Sequence, residues 1–434
     1  MQFKIQKGNG LKGEITVPGD KSISHRAIML ASLADGNSEI SGFLEGEDCL
    51  ATIEVFQKMG VSISRQKGKI IVEGKGLEGL EGASSPLDFR NSGTSVRLCS
   101  GVLVAQEFSS TLIGDSSLSS RPMTRITEPL GLMGANISGT EEGTLPIRIE
   151  PADSLKSINY SLPVASAQVK SCLLFAGLYS RGITEIEEKI TTRDHTERML
   201  RGFGYDVTSS NNRISLLGGG SLKGCDIEVP SDISSAAFFM VAGCISKDSS
   251  ITLNSVNINP TRTGVIDILK LMGGNIELIN QRFQAGELIA DIKVSSSKLK
   301  GIEIPENLVP LAIDEFPVLF IAASCAEGET VLTGAKELRV KESDRIQVMA
   351  DGLASLGIEN HVLEDGIRIL GGKFTKQASS IKSHHDHRIS MAFAIASVRS
   401  KFDIQIEGVD NVKTSFPNFV ELANSIGMNI KQEG

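Results

Sequence analysis

One arrangement occurs six times along this chain: a helical stretch ending in an apolar residue and a glycine, followed at once by an alternating strand. It reads FQKMGVSIS around Gly60, LGLMGANIS around Gly134 and LRGFGYDVT around Gly204. It returns as LKLMGGNIE around Gly273, LASLGIENH around Gly357 and ANSIGMNIK around Gly427. The glycines stand roughly 70 residues apart, with one longer gap before Gly357. Glycine suits each place because helices commonly close on a residue with left-handed backbone, which glycine adopts without steric cost. A chain marked in this way is built from a helix–strand unit used repeatedly.

Each unit carries a second helix whose beginning is polar and whose body is apolar on most sides. These stretches are DKSISHRAIML, NSGTSVRLCSG, SAQVKSCLLFA, SDISSAAFFMV, IDEFPVLFIAA and HDHRISMAFAI. A helix apolar all round belongs in a domain interior. The segments VPGDKSIS from Val17 and VPSDISSA from Val229 resemble each other, dividing the six units into three and three. At 434 residues, two domains are also the expectation from length. The reading is an α/β chain, each unit running helix, strand, helix, strand, with hairpins such as VSISRQKGKIIVEG closing several of them. Residues 18–230 form the N-terminal domain, and 1–17 plus 231–434 the C-terminal one, to which the first seventeen residues add a strand. Two hinge crossings fall near 18–20 and 230–232.

Composition narrows the partners. A net charge of −8, no Trp and only 3 Tyr argue against nucleic acid, which asks for a basic face and stacking platforms. No stretch approaches the roughly 20 apolar residues of a membrane span. The start, MQFKIQKGNGLKGEITV, alternates like a strand and lacks the apolar run of a signal peptide, so the chain reads as cytoplasmic. The six cysteines (Cys49, Cys99, Cys172, Cys225, Cys244, Cys325) form no CxxC pair and read as reduced structural thiols, not disulfides or zinc ligands.

Charged residues collect where helices begin, and a helix N-terminus favours anions. Lys21, Ser22 and Arg26 lie at one such start, Arg121 opens RPMTRITEPLGLMG, and Arg193 precedes DHTERMLRGFG. Lys341, Glu342 and Arg345 stand at the start of ESDRIQVMADGLASLG, and Arg388 follows HHDH. Any one of these is most simply a solvated charge. Their recurrence at equivalent places points to a substrate with more than one phosphate or carboxylate, gripped from both halves. Three other motifs carry less. GKGLEG (Gly74 to Gly79) matches a dinucleotide-loop pattern, but no amphipathic helix follows, so it reads as a turn. The neighbours in HHDH (His384 to His387) point in different directions and do not converge readily on one metal. No Gly-x-Ser-x-Gly elbow offers a serine nucleophile.

Taken together, PGDKSISHR, NSGTSVR, GDSSLSSRPM, ASAQVKS, TRDHTERM, IDEFP, ELRVKESDR and DHRISMAFA resemble the signature segments of the 5-enolpyruvylshikimate-3-phosphate synthase family of enolpyruvyl transferases, in family order. TSFPNF (Thr414 to Phe419) extends the likeness toward the C-terminus. The resemblance implies a two-domain inside-out α/β barrel, each domain of three βαβαββ units. It implies transfer of the enolpyruvyl group of phosphoenolpyruvate to the 5-hydroxyl of shikimate 3-phosphate, with release of phosphate and with neither metal nor organic cofactor, in a monomer.

By the same resemblance, Lys21, Ser22, Arg26, Ser166, Gln168, Arg193, Asp314 and Lys341 hold shikimate 3-phosphate. Lys21, Gly93, Arg121, Gln168, Arg345 and Arg388 face phosphoenolpyruvate, where glyphosate would compete. Arginine's planar fork suits both kinds of anion. Addition followed by elimination needs one group to take a hydroxyl proton and another to deliver a proton to carbon. Asp314 and Glu342 are the carboxylates at matching positions, and Lys21 and Lys341 can share the transfers. The chain departs from some members in VKTSFP, where Lys413 is displaced and Thr414 or Ser415 takes the comparable place, and in ASAQ, where Ala167 lacks a hydroxyl. With RPM and TRDHTE, this leans toward the second of the family's two sequence classes. The nearest alternative is the UDP-N-acetylglucosamine enolpyruvyl transferases, which typically use a cysteine where this chain has GDSSLSSRPM. A non-catalytic protein binding RNA ends would be expected to have a scrambled acid–base set, yet Asp314 and Glu342 stand in intact motifs.

Overall fold

Five of the six polar stretches hold a capping side chain. In the computed structural model, which describes residues 1–6, 10–378 and 380–434, Asp20 accepts from the amide of Ile23 at 3.0 Å and Ser92 from that of Ser95 at 3.2 Å. Ser166 accepts from Val169 at 3.4 Å, Asp232 from Ser234 at 2.7 Å and Asp386 from Arg388 at 2.9 Å. Such bonds satisfy amides left without a partner at a helix start, each worth about 1 kcal/mol. The sixth helix begins after Glu315 without a cap bond and carries Pro317 in its first turn, where proline's fixed φ fits.

The chain divides into two compact units. The N-terminal unit, Gly19–Val229, contains α1 (Lys21–Leu33), α2 (Glu47–Lys58), α3 (Gly93–Leu103), the short α4 (Ser116–Ser119), α5 (Thr124–Leu132), α6 (Ala167–Gly177) and α7 (His195–Gly202). The C-terminal unit, Met1–Pro18 with Pro230–Gly434, contains α8 (Ile233–Ile245), α9 (Gly264–Leu271), α10 (Phe316–Ser324), α11 (Arg345–Ser355), α12 (His387–Ala396) and α13 (Phe419–Ser425). All thirteen residues of α8 are buried, as are nearly all of α1, α10 and α12. These are the interior helices the apolar stretches predict, and each fully buried Leu, Ile, Phe or Met contributes about 1.5–3 kcal/mol. Where α3 meets α6 the backbones touch: a Cβ on Gly101 would lie 2.1 Å from the carbonyl oxygen of Cys172.

The amphipathic helices α2, α5, α7, α9, α11 and α13 end at the six marked glycines. Their φ values are 83° at Gly60, 90° at Gly134, 79° at Gly204, 91° at Gly273, 86° at Gly357 and 113° at Gly427. Each helix stops because the glycine just past its C-cap residue turns to positive φ, a conformation a side chain disfavours.

Six sheets follow one construction among the described residues. In the N-terminal unit, strand 87–88 runs parallel to 110–113, which pairs antiparallel with 147–150, which pairs antiparallel with 136–138. Strands 159–161, 183–187, 213–217 and 207–210 repeat that order. The remaining sheet pairs 34–41 in parallel with 222–223 and 227–228 and antiparallel with 69–75, which in turn pairs antiparallel with the hairpin strand 62–66. In the C-terminal unit the series is 12–15, 250–257, 287–295 and 275–284. Its second sheet is 329–332, 367–370 and 360–362, with a parallel bridge from Glu303 to Val331. Its third is 381–382, 404–407, 2–6 and 429–433.

The first residues thus supply two strands, in different sheets, where the sequence suggested one. The burial explains this: Phe3 and Ile5 on one strand, and Leu11 and Ile15 around the other, all enter the core of the C-terminal unit. After Gly74 the chain forms no helix before α3, so GKGLEG is the end of a strand and a turn. No helix among the described residues is long and apolar enough to cross a membrane.

Candidate active site

In the N-terminal unit the first turns of α1, α3 and α6 lie side by side. His25 of α1 approaches Ser92, the cap of α3, at 3.5 Å. On the other side, Gln168 of α6 donates to Thr94 Oγ1 at 3.0 Å and accepts from Arg97 Nη1 at 2.8 Å, both on α3. Three helix N-termini therefore face one region, and their dipoles favour negative charge there. Lys21 adds an ammonium at the start of α1, ion-paired with Asp48 of α2. Ser166 is the cap of α6, and Arg193 lies half-buried just before α7.

Arg97 and Arg121 converge on Gly93. A Cβ there would lie 2.9 Å from Arg97 Nη1 and 3.2 Å from Arg121 Nη1. Arg97 is steadied by the carbonyl of Pro122 at 3.1 Å. Arg121 donates to Asn91 Oδ1 at 2.8 Å and Ser117 Oγ at 3.1 Å. Two guanidinium groups beside a bare helix start make a setting for an anion that approaches the backbone closely.

Arg26 is placed differently from its neighbours. It is 3% exposed and donates to Thr196 Oγ1 at 2.7 Å, Ser171 Oγ at 2.8 Å and the Ser22 carbonyl at 3.0 Å. It joins α1, α6 and α7. Burial holds His25 well below its ordinary pKa, with Lys21 and Arg26 adding to the effect and Asp20 opposing it. The ring is therefore neutral, with Nδ1 2.7 Å from Thr52 Oγ1.

In the C-terminal unit, Arg345, the first residue of α11, gathers three carboxylates. Nε donates to Asp386 Oδ2 at 2.9 Å, Nη2 to Glu342 Oε2 at 2.6 Å and Nη1 to Asp314 Oδ1 at 3.4 Å. Burial works against its charge, but Asp386, Glu342 and Asp314 more than offset this and hold the guanidinium above its ordinary value. Lys341 Nζ stands 3.6 Å from Asp314 Oδ1. Arg388 donates to the Asp314 carbonyl at 3.0 Å and lies 3.8 Å from Glu315 Oε1. Behind this cluster, buried Arg262 donates to Ser234 Oγ at 2.7 Å, and that hydroxyl donates to Glu315.

Each unit thus brings its own set of expected residues together. Gly93, Arg121 and Gln168 meet around Arg97 in one, where Lys21, Ser22, Ser166 and Arg193 lie at or just before the starts of α1, α6 and α7, and Asp314, Lys341, Glu342, Arg345 and Arg388 come together in the other. Lys413 is exposed on a short 3-10 turn, whereas Thr414 is buried and donates to the Asn411 carbonyl at 2.7 Å. Arg97, one turn after Gly93 within NSGTSVR, is not among the residues expected from the sequence, and Asp386 enters there only within HHDH. That residue caps α12 and holds Arg345, while His384 and His385 take positive φ values of 52° and 58°. No group of three or more His, Cys, Asp or Glu among the described residues is arranged to hold a metal ion.

A family model described as EPSP synthase (3-phosphoshikimate 1-carboxyvinyltransferase) matches residues 5–422. The 3-phosphoshikimate 1-carboxyvinyltransferase of Vesicomyosocius okutanii is 63% identical over 99% of this chain and 98% of its own length. That of Ruthia magnifica is 63% identical with the same coverage. The solved EPSP synthase of Acinetobacter baumannii superposes with a TM-score of 0.89 at 56% identity, covering 99% of this chain and 100% of that one.

Proposed function

Because the chain belongs to the EPSP synthase family, we infer that it transfers the enolpyruvyl group of phosphoenolpyruvate to the 5-hydroxyl of shikimate 3-phosphate and releases phosphate. The observation that carries the chemistry is the pairing of Asp314 and Glu342 around Arg345, with Lys341 alongside. Carboxylates held at hydrogen-bonding distance from fixed cations can take and return protons without moving far.

In this reading Ser22, Ser166, Gln168 and Arg193 bind shikimate 3-phosphate, joined by Lys21, Lys341 and Asp314. Arg26 acts from behind them, through Ser171 and Thr196. Arg121, Arg345 and Arg388 take the carboxylate and phosphate of phosphoenolpyruvate, with Lys21, Gln168 and the open face of Gly93, and Arg97 stands beside Gly93 and Gln168. Protonation of the enol carbon makes a cationic centre that the 5-hydroxyl attacks. The tetrahedral adduct then loses phosphate and a proton. Asp314, Glu342, Lys21 and Lys341 carry these transfers, and no cofactor enters. The common strand order of the six sheets supports an inside-out α/β barrel of βαβαββ units.

UDP-N-acetylglucosamine as acceptor is disfavoured by the turn before Arg121, where Ser116, Ser117, Ser119 and Ser120 stand and no cysteine occurs. The deciding experiment follows phosphate release from phosphoenolpyruvate with each acceptor. Turnover with shikimate 3-phosphate and none with the UDP-sugar is expected, and the reverse would overturn this assignment.

A further inference from the structure

Lys170 carries an ammonium into the interior of the N-terminal unit, with 1% of its side chain exposed. Its Nζ lies 2.7 Å from Glu197 Oε1 and 3.1 Å from Glu188 Oε2. It also donates to the backbone carbonyl of Thr192 at 3.4 Å. A buried ammonium persists only with such partners, and an apolar side chain of similar length generally packs a core at least as well. The charge is therefore accounted for by what it ties together.

It ties three segments, each next to a residue assigned to shikimate 3-phosphate. Lys170 sits on α6, one turn after Ser166 and close behind Gln168. Thr192 immediately precedes Arg193, and its hydroxyl donates to Glu188, closing the 188–192 turn on itself. Glu197 lies on α7, one turn beyond Arg193. A second layer runs alongside, because Ser171 and Thr196, the next residue on α6 and the preceding one on α7, hydrogen-bond to each other at 2.7 Å and to Arg26. Burial pushes the Glu197 carboxyl up in pKa, against the pull of Lys170.

We propose that Lys170, with Glu188 and Glu197, is a positioning centre for recognition of the acceptor's phosphate. It fixes the distance between the start of α6, which carries Ser166 and Gln168, and the turn that carries Arg193. A phosphate ester is recognised by a hydroxyl, an amide and an arginine fork only when all three stand within a few tenths of an ångström of their places. Loosening the tie costs acceptor affinity before anything else. This inference rests on the assignment of Ser166, Gln168 and Arg193 to shikimate 3-phosphate.

The test compares Lys170→Met, Glu188→Gln and, as a direct-contact control, Arg193→Ala, each in the full chain. Steady-state kinetics are followed by phosphate release, and folding is checked by circular dichroism. Glu188→Gln preserves shape and leaves Lys170 with Glu197, so it decides the matter should Lys170→Met be too unstable to purify. The expected result is a rise of about tenfold in the KM for shikimate 3-phosphate, with kcat close to wild type and a clearly smaller rise in the KM for phosphoenolpyruvate, which Gln168 also faces. If both Michaelis constants rise by the same factor, the triad is only a structural support and the proposal is overturned. If the acceptor KM is unchanged in the folded variants but raised in Arg193→Ala, the positioning role alone is wrong. If Arg193→Ala also leaves it unchanged, the site assignment fails and the positioning role falls with it.

Discussion

Arg345 donates from Nη2 to Glu342 Oε2 at 2.6 Å, and the same guanidinium stands 3.4 Å from Asp314 Oδ1. One buried cation thus joins the two carboxylates proposed for proton transfer. Asp314→Asn and Glu342→Gln keep shape and polarity but remove the proton chemistry. Each is expected to lower kcat by about 10²–10⁴-fold while changing the Michaelis constants far less. Phosphate-release kinetics on the purified variants provide the check, and near-normal turnover in either would remove that residue from the proton transfers.

Gly93→Ala is expected to discriminate between glyphosate and phosphoenolpyruvate. The added methyl would stand 2.9 Å from Arg97 Nη1 and 3.2 Å from Arg121 Nη1, tighter than ordinary contact. The ends of both arginines must yield, so the anion pocket shortens and shifts. Glyphosate, the longer anion, loses more. The ratio of its inhibition constant to the phosphoenolpyruvate KM should rise, and an unchanged ratio would place Gly93 outside that pocket.

His25 and Glu197 predict opposite effects of pH on stability. Native His25 stays neutral, while the unfolded chain takes up a proton as pH falls through about 6.5. Stability is therefore full above that pH and is lost below it, by up to about 1.4 kcal/mol per unit. Glu197 has a raised carboxyl, so its contribution is full below the unfolded value of about 4.5 and declines as pH rises from there toward the native value. Thermal midpoints across pH 4 to 7 should fall less steeply on acidification in His25→Gln than in wild type. In Glu197→Gln, which lacks the contribution that is full at the acid end, they should fall more steeply on acidification than in wild type.

Arg262 is 2% exposed and lies 3.4 Å from Asp232 Oδ1 and 4.0 Å from Glu315 Oε1. Arg262→Met would take from Asp232 and Glu315 the cation they share, leaving Glu315 with Arg388 at 3.8 Å, at a cost of about 3–5 kcal/mol. Urea titration should show a lower midpoint, and adding Glu315→Gln should recover part of the loss. Simple addition of the two effects would mean that the residues do not interact.

The α/β class could be read from the chain because glycine-terminated helices and apolar interior helices are local patterns. Gly60 through Gly427 turn to positive φ for a reason visible in each nonapeptide. The cations at helix starts were legible for the same reason. Arg97 was not, since its importance comes from Gln168 and Gly93, and only folding brings Gln168 beside it. Asp386 was obscured because its partner Arg345 lies in another helix. Arg26 and Arg345 stand in the sequence as cations at helix starts, and only the fold shows them buried among hydroxyls and carboxylates. The two N-terminal strands read as one because every partner, 404–407 and 429–433 for 2–6 and 250–257 for 12–15, is remote in sequence.

At Gly101 and Cys172 the meeting of α3 and α6 has no layer of side chains in it. Most helix pairs accommodate substitutions through such a layer, one residue growing while its neighbour shrinks. Here there is nothing to trade. The two helices form a single girder, with Gly93 at the head of one member and Ser166 at that of the other. Selection for a new inhibitor response or acceptor preference cannot slide these heads past one another. It is confined to replacing the groups around them, and the variants that survive such selection should cluster at the rim and never along the seam.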